Sequence, residues 1–165
     1  MSEKLRHLSA SYPIRPLTGQ DIPEMQALFR ATVLHVNVRD YTQEEVADWA
    51  SCGDSMEHWQ SLLDRYRFIA TLDRQGGITG FTSMNAVGHL HSLFVHEDWQ
   101  GKGIATRLLH EAERMAHAFG ASRIHLEASI TARPFFEKQG YRVVRKQQAK
   151  ANRLYLTNYV MEKSI

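Results

Sequence analysis

Apolar positions along the chain keep two different periods, and the change of period divides it in two. Up to about residue 66 the spacing is helical. Met25, Leu28, Phe29, Thr32 and Val36 recur at steps of three and four behind Asp21, a capping residue, and Pro23, which suits a first turn. Thr42-Gln43-Glu44-Glu45 has the form of a capping box ahead of Val46 and Trp49. Asp54-Ser55-Met56-Glu57 repeats the signal ahead of Trp59, Leu62, Leu63 and Tyr66. From Arg67 the runs shorten. Residues 68–72, 78–84 and 89–95 read as three strands joined by tight turns, an antiparallel meander, and residues 12–17, with two prolines, suit an edge strand.

The helical period then returns. Leu108, Leu109, Ala112, Met115, Ala116 and Phe119 make one apolar face, with Arg107, His110, Glu111, Glu113, Arg114 and His117 opposite and Gly120 placed to end the helix. A strand at 123–129, a short helix at 132–139 and strands at 141–147 and 154–161 complete the order. A strand-helix-strand crossover such as 89–129 predicts a right-handed parallel pair.

Composition narrows the class. At 165 residues, 43% hydrophobic and 23% charged, the chain is long enough for a full core, and a single domain over residues 1–165 is expected. The net charge is +2 with Lys and Arg dispersed, which gives no nucleic-acid footprint. The one cysteine, Cys52, has no internal disulfide partner, no apolar run approaches the roughly 18 residues of a membrane helix, and the N-terminus lacks a signal-peptide core. A cytoplasmic protein with no membrane partner is expected.

The most informative stretch is 93–106, LFVHEDWQGKGIAT: a strand, a glycine loop and the start of a helix. First-turn N–H groups without intrahelical partners, with the positive end of the helix dipole, favour an anion, and glycines let main chain close on a phosphate. A pyrophosphate fits this turn. The third glycine of a dinucleotide fingerprint and the GK[ST] ending of a P-loop are absent, as is the G-x-S-x-G of a serine hydrolase. His89-x-His91 has no Cys or carboxylate cluster beside it, so no metal site is expected.

Gln100-x-x-Gly103-x-Ala105, following a strand that ends Leu93-Phe94-Val95, resembles the signature of the GNAT superfamily of N-acetyltransferases. Phe135-Phe136-Glu137-Lys138-Gln139-Gly140-Tyr141 falls one strand later, where that family has an aromatic pair, a short helix and a glycine-aromatic ending. The resemblance runs from Ile14 to Met161. It implies an α/β (α+β) fold, a mixed, mostly antiparallel central sheet of six to seven strands flanked by helices on both faces. It also implies acetyl-CoA as co-substrate, without a metal, and acetyl transfer to an amine. The main chain of Leu93, Phe94 and Val95 would hold the pantetheine arm and supply an oxyanion donor. Gln100, Gly101, Lys102, Gly103, Ile104, Ala105 and Thr106 would surround the pyrophosphate, with Lys102, Arg107 or Lys138 reaching another phosphate. Ser129 stands where the family often has an Asn that touches the cofactor, and Phe136 where it commonly has a Tyr acid for the departing thiolate. A thiol with a reference pKa of about 8.5 leaves acceptably without that acid. The Phe136 departure also supports a second reading, a catalytically weak acyl-CoA-binding sensor or regulatory module.

An attacking amine must be neutral, yet a lysine-like amine has a pKa near 10.4 in water, so a base or a desolvating pocket is required. Alternation along 123–129 puts His125, Glu127 and Ser129 on the face opposite Ile124, Leu126 and Ala128. A carboxylate in a strand covered on both sides is costly without a partner, which marks Glu127 as a candidate base, acting with His91 of the neighbouring strand. The competing reading makes His91 a core histidine and Glu127 a structural ion-pair partner. For the acceptor, an acidic insert (Asp40, Glu44, Glu45, Asp48, Asp54, Glu57) would draw in a small-molecule amine, with Tyr41, Trp49 and Trp59 lining its pocket and His35 hydrogen-bonding inside it. Packing of these aromatics in the core is the plainer alternative. Cys52 is remote in sequence from the glycine loop, which favours direct attack over a covalent relay. Acceptor identity and oligomeric state, a homodimer included, stay open.

Overall fold

Twelve regular elements arise where the patterning places them, in a computed structural model that describes residues 2–3 and 12–165. They are β1 (Ile14–Pro16), α1 (Ile22–His35), α2 (Gln43–Ser51), α3 (Met56–Arg65), β2 (Arg67–Leu72), β3 (Ile78–Met84), β4 (Leu90–Val95), α4 (Ile104–Ala118), β5 (Arg123–Ser129), α5 (Arg133–Lys138), β6 (Arg142–Lys150) and β7 (Tyr155–Ser164). The capping box forms as its residues dictate: Glu45 N–H donates to Thr42 Oγ1 at 3.1 Å and Thr42 N–H to Glu45 Oε1 at 3.0 Å. Two other caps differ from expectation. Asp21 makes no side-chain cap on α1, because its carboxylate is taken by Thr18 N–H and the Arg15 guanidinium. Ser55, not Asp54, caps α3, accepting the His58 N–H at 3.2 Å.

Seven strands form, but in two sheets rather than one. The first is the meander β1-β2-β3-β4 and the second has the order β5-β7-β6, both antiparallel. The crossover from β4 to β5 does not make a parallel pair. It reduces to one parallel bridge, His89 with His125, in which His125 N–H donates to Gly88 O at 3.0 Å. Gly88 permits that approach: its φ is +84°, and a Cβ there would lie 2.2 Å from Arg123 O. Beyond this junction β4 and β5 diverge without further pairing, and the sheets open as a wedge.

Alternation along β2 assigns the two faces. Phe68 and Ala70 join Met25, Phe29, Val33, Trp59 and Leu62 in a core under α1, α2 and α3. Ile69 joins Leu108, Leu109, Ala112, Ile124, Leu126 and Phe136 in a second core under α4 and α5. Helices thus cover both faces. Phe119, expected on the buried stripe of α4, lies just past its last residue and is 40% exposed. β6 and β7 run longer than their apolar patterning, because main-chain pairing continues through Gln148, Ala149 and Lys150 of β6 and through Glu162, Lys163 and Ser164 of β7 opposite β5. No helix among the described residues is long and apolar enough to cross a membrane.

Candidate active site

The wedge exposes one edge of β4. His96 N–H donates to Thr79 O at 2.8 Å, which sets the alternation: main-chain groups of Phe94 turn toward β3, and those of Leu93 and Val95 turn away into the opening. Val95 O is already engaged there, accepting from Thr32 Oγ1 at 3.1 Å and Gln100 Nε2 at 2.7 Å. Gln100 thereby pins the glycine loop to the strand end. At the other end of β4 the register against β3 shifts between Ser83 and Met84, leaving His91 as an extra residue opposite them.

The loop has the geometry its glycines allow. Gly101 and Gly103 have φ of +72° and +82°, and a Cβ on Gly101 would meet nothing within 4 Å. Gly103 occupies the N-cap of α4 with no side-chain cap bond, so no side chain covers the first-turn amides of Ile104, Ala105 and Thr106. The Ile104 side chain itself is buried in the core. Lys102 and Lys138 are exposed, whereas Arg107 lies along α4 toward Glu111 at 3.6 Å. Ser129 Oγ accepts the Ala132 N–H at 3.0 Å and so shapes the entry to α5. Phe136 is 3% exposed, edge-on to Phe135 and Tyr141, and offers a ligand no surface. Its ring packs in the second core, beside the position where a cofactor contact is expected.

Where the wedge closes, five side chains from four segments meet. Glu127 Oε2 lies 2.9 Å from His89 Nε2, and Tyr66 Oη lies 2.7 Å from His89 Nδ1. His89 stacks on His125, ring centroids 4.9 Å apart, and His91 packs on Tyr66 at 5.0 Å. A carboxylate only accepts, so His89 donates from Nε2, and in its neutral form it accepts the Tyr66 O–H at Nδ1. Both its nitrogens are spent. The His89 hydrogen bond is the main reason the Glu127 pKa is lowered. His91 keeps an exposed edge, yet desolvation of its ring against its neighbours first, and a proton on His89 second, push it down to about 4; its Nδ1 is 2.8 Å from Ser92 Oγ. Burial also lowers His125.

This arrangement changes the expected pairing. The carboxylate of Glu127 is bonded to His89 rather than to His91, and β5 is an edge strand that leaves the Glu127 side chain 45% exposed. Sequence reasoning missed His89, His125 and Tyr66. The signal for His89 was its shared face with His91; for Tyr66, at the end of a helical stripe, there was none.

The residues expected to line an acceptor pocket do not come together. His35 ends α1 at the surface, its Nδ1 2.8 Å from Glu97 Oε2. Tyr41 is buried, its hydroxyl donating to Thr157 O at 2.6 Å and accepting from Ile130 N–H at 2.9 Å, and so ties the helical layer to the second sheet. Trp49 packs edge-on to Tyr41 and Phe29 in the core. Of the acidic insert, Asp48 is turned inward to accept the N–H groups of Asn152, Arg153 and Leu154 at 2.9 to 3.0 Å, which lowers its pKa and leaves it no surface role. Cys52 sits beside it, Sγ 3.8 Å from Asp48 O, with its thiol pKa raised by burial.

A family model described as an acetyltransferase (GNAT) domain matches residues 37–163. The chain belongs to the GNAT family and is an N-acetyltransferase. Among relatives of this family it is 27% identical over 149 residues to the uncharacterized N-acetyltransferase YafP of Escherichia coli K12, covering 90% of this chain and 93% of that one. A GCN5-related N-acetyltransferase structure from Rhodopseudomonas palustris superposes with a TM-score of 0.90 at 30% identity, covering 94% of this chain and 96% of that one. The PaiA N-acetyltransferase of Thermoplasma acidophilum, solved with coenzyme A, shares the fold at a TM-score of 0.76 and 19% identity, covering 94% and 99%.

Proposed function

We propose that this GNAT enzyme moves an acetyl group from acetyl-CoA to the amine of a small molecule by direct attack, with the wedge between β4 and β5 as the reaction site. The observation that carries this reading is the uncapped start of α4 beside the unpaired edge of β4. The donors fit the co-substrate: first-turn amides 104–106 and the main chain of Gly101 and Gly103 suit a pyrophosphate, and the outward amides of Leu93 and Val95 suit an amide-rich arm. Acetyl-CoA bound there supplies a thioester activated toward amines.

Glu127 and His91 have separate tasks. Oriented by His89, Glu127 keeps its charge and draws in the acceptor as an ammonium. With Nδ1–H donated to Ser92 Oγ, the Nε2 lone pair of His91 takes the proton that turns the ammonium into a neutral amine; the amine nitrogen then bonds the thioester carbon as the C–S bond breaks, and the second N–H proton leaves with the CoA thiolate as the thiol. The Leu93 N–H stabilises the developing oxyanion, a contribution of roughly 2.7 to 4 kcal/mol in comparable sites, while the Val95 N–H stays on the arm.

Thiol release from acetyl-CoA, followed across polyamines, aminoglycosides, amino acids and peptides, tests the reaction. Turnover with at least one class is expected; His91→Gln should lower kcat by about 100-fold with a changed pH profile, and Glu127→Gln should raise KM for the amine. Acetyl-CoA binding without turnover on any amine would favour the sensor reading instead; an unchanged His91→Gln profile would remove His91 as the base, and an unchanged amine KM in Glu127→Gln would remove Glu127 from the site.

A further inference from the structure

The second sheet presents an open polar face beside the reaction site, and its registry brings opposite charges into one row. Glu127 on β5 and Arg145 on β6 are both cross-strand partners of Val160 on β7, so all three side chains share a face. Two inter-strand steps of about 5 Å place the Cα atoms of Glu127 and Arg145 about 10 Å apart. Val160 packs into neither core and floors the gap. One row along, Asn158 lies between Ser129 and Gln147, and its Oδ1 is buried with no hydrogen-bond partner among the described residues.

Arg145 is the unusual member. It is exposed, and no carboxylate among the described residues pairs with it, whereas in the next row Arg123 and Arg142 both reach Glu162. A bulge at Val144 turns Arg145 onto this face. A carboxylate, an apolar floor and a free guanidinium in one line, with an unsatisfied amide oxygen alongside, complement a short zwitterion. Guanidinium matches carboxylate in bidentate geometry.

We propose that the acceptor carries a carboxylate as well as its amine, and that Arg145 binds the carboxylate while Glu127 receives the amine and Asn158 Oδ1 accepts one of its N–H groups. The inference rests on the acetyl-transfer reading above and names its substrate class, a small amino acid whose two charges lie a few bonds apart. An edge-strand cation placed only to oppose aggregation would confer no such preference.

The test compares glycine, β-alanine, 4-aminobutyrate and 6-aminohexanoate with their carboxamides, as kcat/KM in wild type and Arg145→Gln. Wild type should favour at least one acid over its amide by about 10- to 100-fold, the usual worth of a charged hydrogen-bonded pair. Arg145→Gln should bring that ratio close to one, and Arg145→Lys should restore part of it. A wild-type ratio near one for every pair, or a ratio that Arg145→Gln leaves in place, overturns the proposal while the acetyltransferase reading stands. Should no amine turn over, the acetyl-transfer reading falls by itself. Calorimetric binding of the same acids to the CoA-saturated protein then decides for Arg145: weaker binding to Arg145→Gln supports it, and equal or absent binding rejects it.

Discussion

His89 is the residue that gives its neighbours their character. Its two nitrogens are closed by Tyr66 and Glu127, so it holds the carboxylate in place, and a proton on both of them would oppose a charge on His91. The depressed His91 pKa has a consequence for stability. In the unfolded chain a histidine titrates near 6.5, so below that pH the unfolded state binds a proton that folded His91 refuses until about pH 4. Stability contributed by neutral His91 is therefore complete above about pH 6.5 and declines as the pH falls toward 4. Urea midpoints at pH 7.5 and pH 5.0 should show a larger loss on acidification in wild type than in His91→Gln; equal losses would mean that His91 titrates normally. Alternation along β5 was enough to single out Glu127 from sequence. Its true partner was not legible, because the bulge at His91 and the bridge at His89 decide which histidine reaches it, and both arise from pairing between distant strands.

At the level of elements, local signals were the reliable ones. The Thr42 capping box, the meander turns and the glycine loop each depend on a few neighbouring residues, and each forms as its chemistry requires. Asp21 and Phe119 went otherwise for reasons outside their own helices: Arg15 claims the first, and α4 stops before the second. The aromatic insert was ambiguous by nature, since Tyr41 and Trp49 at helical spacing suit a pocket or a core equally well. The glycine loop supplies the sharpest test of an element. Gly103 has φ +82°, where an L-residue costs about 1 to 2 kcal/mol, and its amide belongs to the anion-binding set. Gly103→Ala should lower Tm by about 2 to 8 °C and weaken CoA binding beyond that structural loss. Unaltered CoA affinity by calorimetry would place the pyrophosphate elsewhere.

For the whole molecule, what matters is that two sheets meet at one point and separate. The family resemblance implied a mixed sheet whose strands splay apart at Val95 and Ser129, and the structure has that opening, with the pairing of β4 and β5 reduced to one bridge at its closed end. The divergence makes room for a ligand along β4, and the junction sets where that room ends, beside His89 and Glu127. Gly88 holds the junction, since its carbonyl accepts the His125 N–H and any Cβ would strike the Arg123 carbonyl at 2.2 Å. Neither group is the flexible end of a side chain, so the clash is relieved only by shifting one sheet against the other. Gly88→Ala should therefore destabilise the fold by about 2 kcal/mol or more, combining left-handed strain with that displacement. Because the displacement moves Glu127 relative to β4, the protection that acetyl-CoA gives against unfolding should shrink along with it. Denaturant midpoints with and without acetyl-CoA measure both effects together. A Gly88→Ala protein as stable as wild type, and equally protected, would show that the wedge is held open by the cores on its two faces and not by this contact.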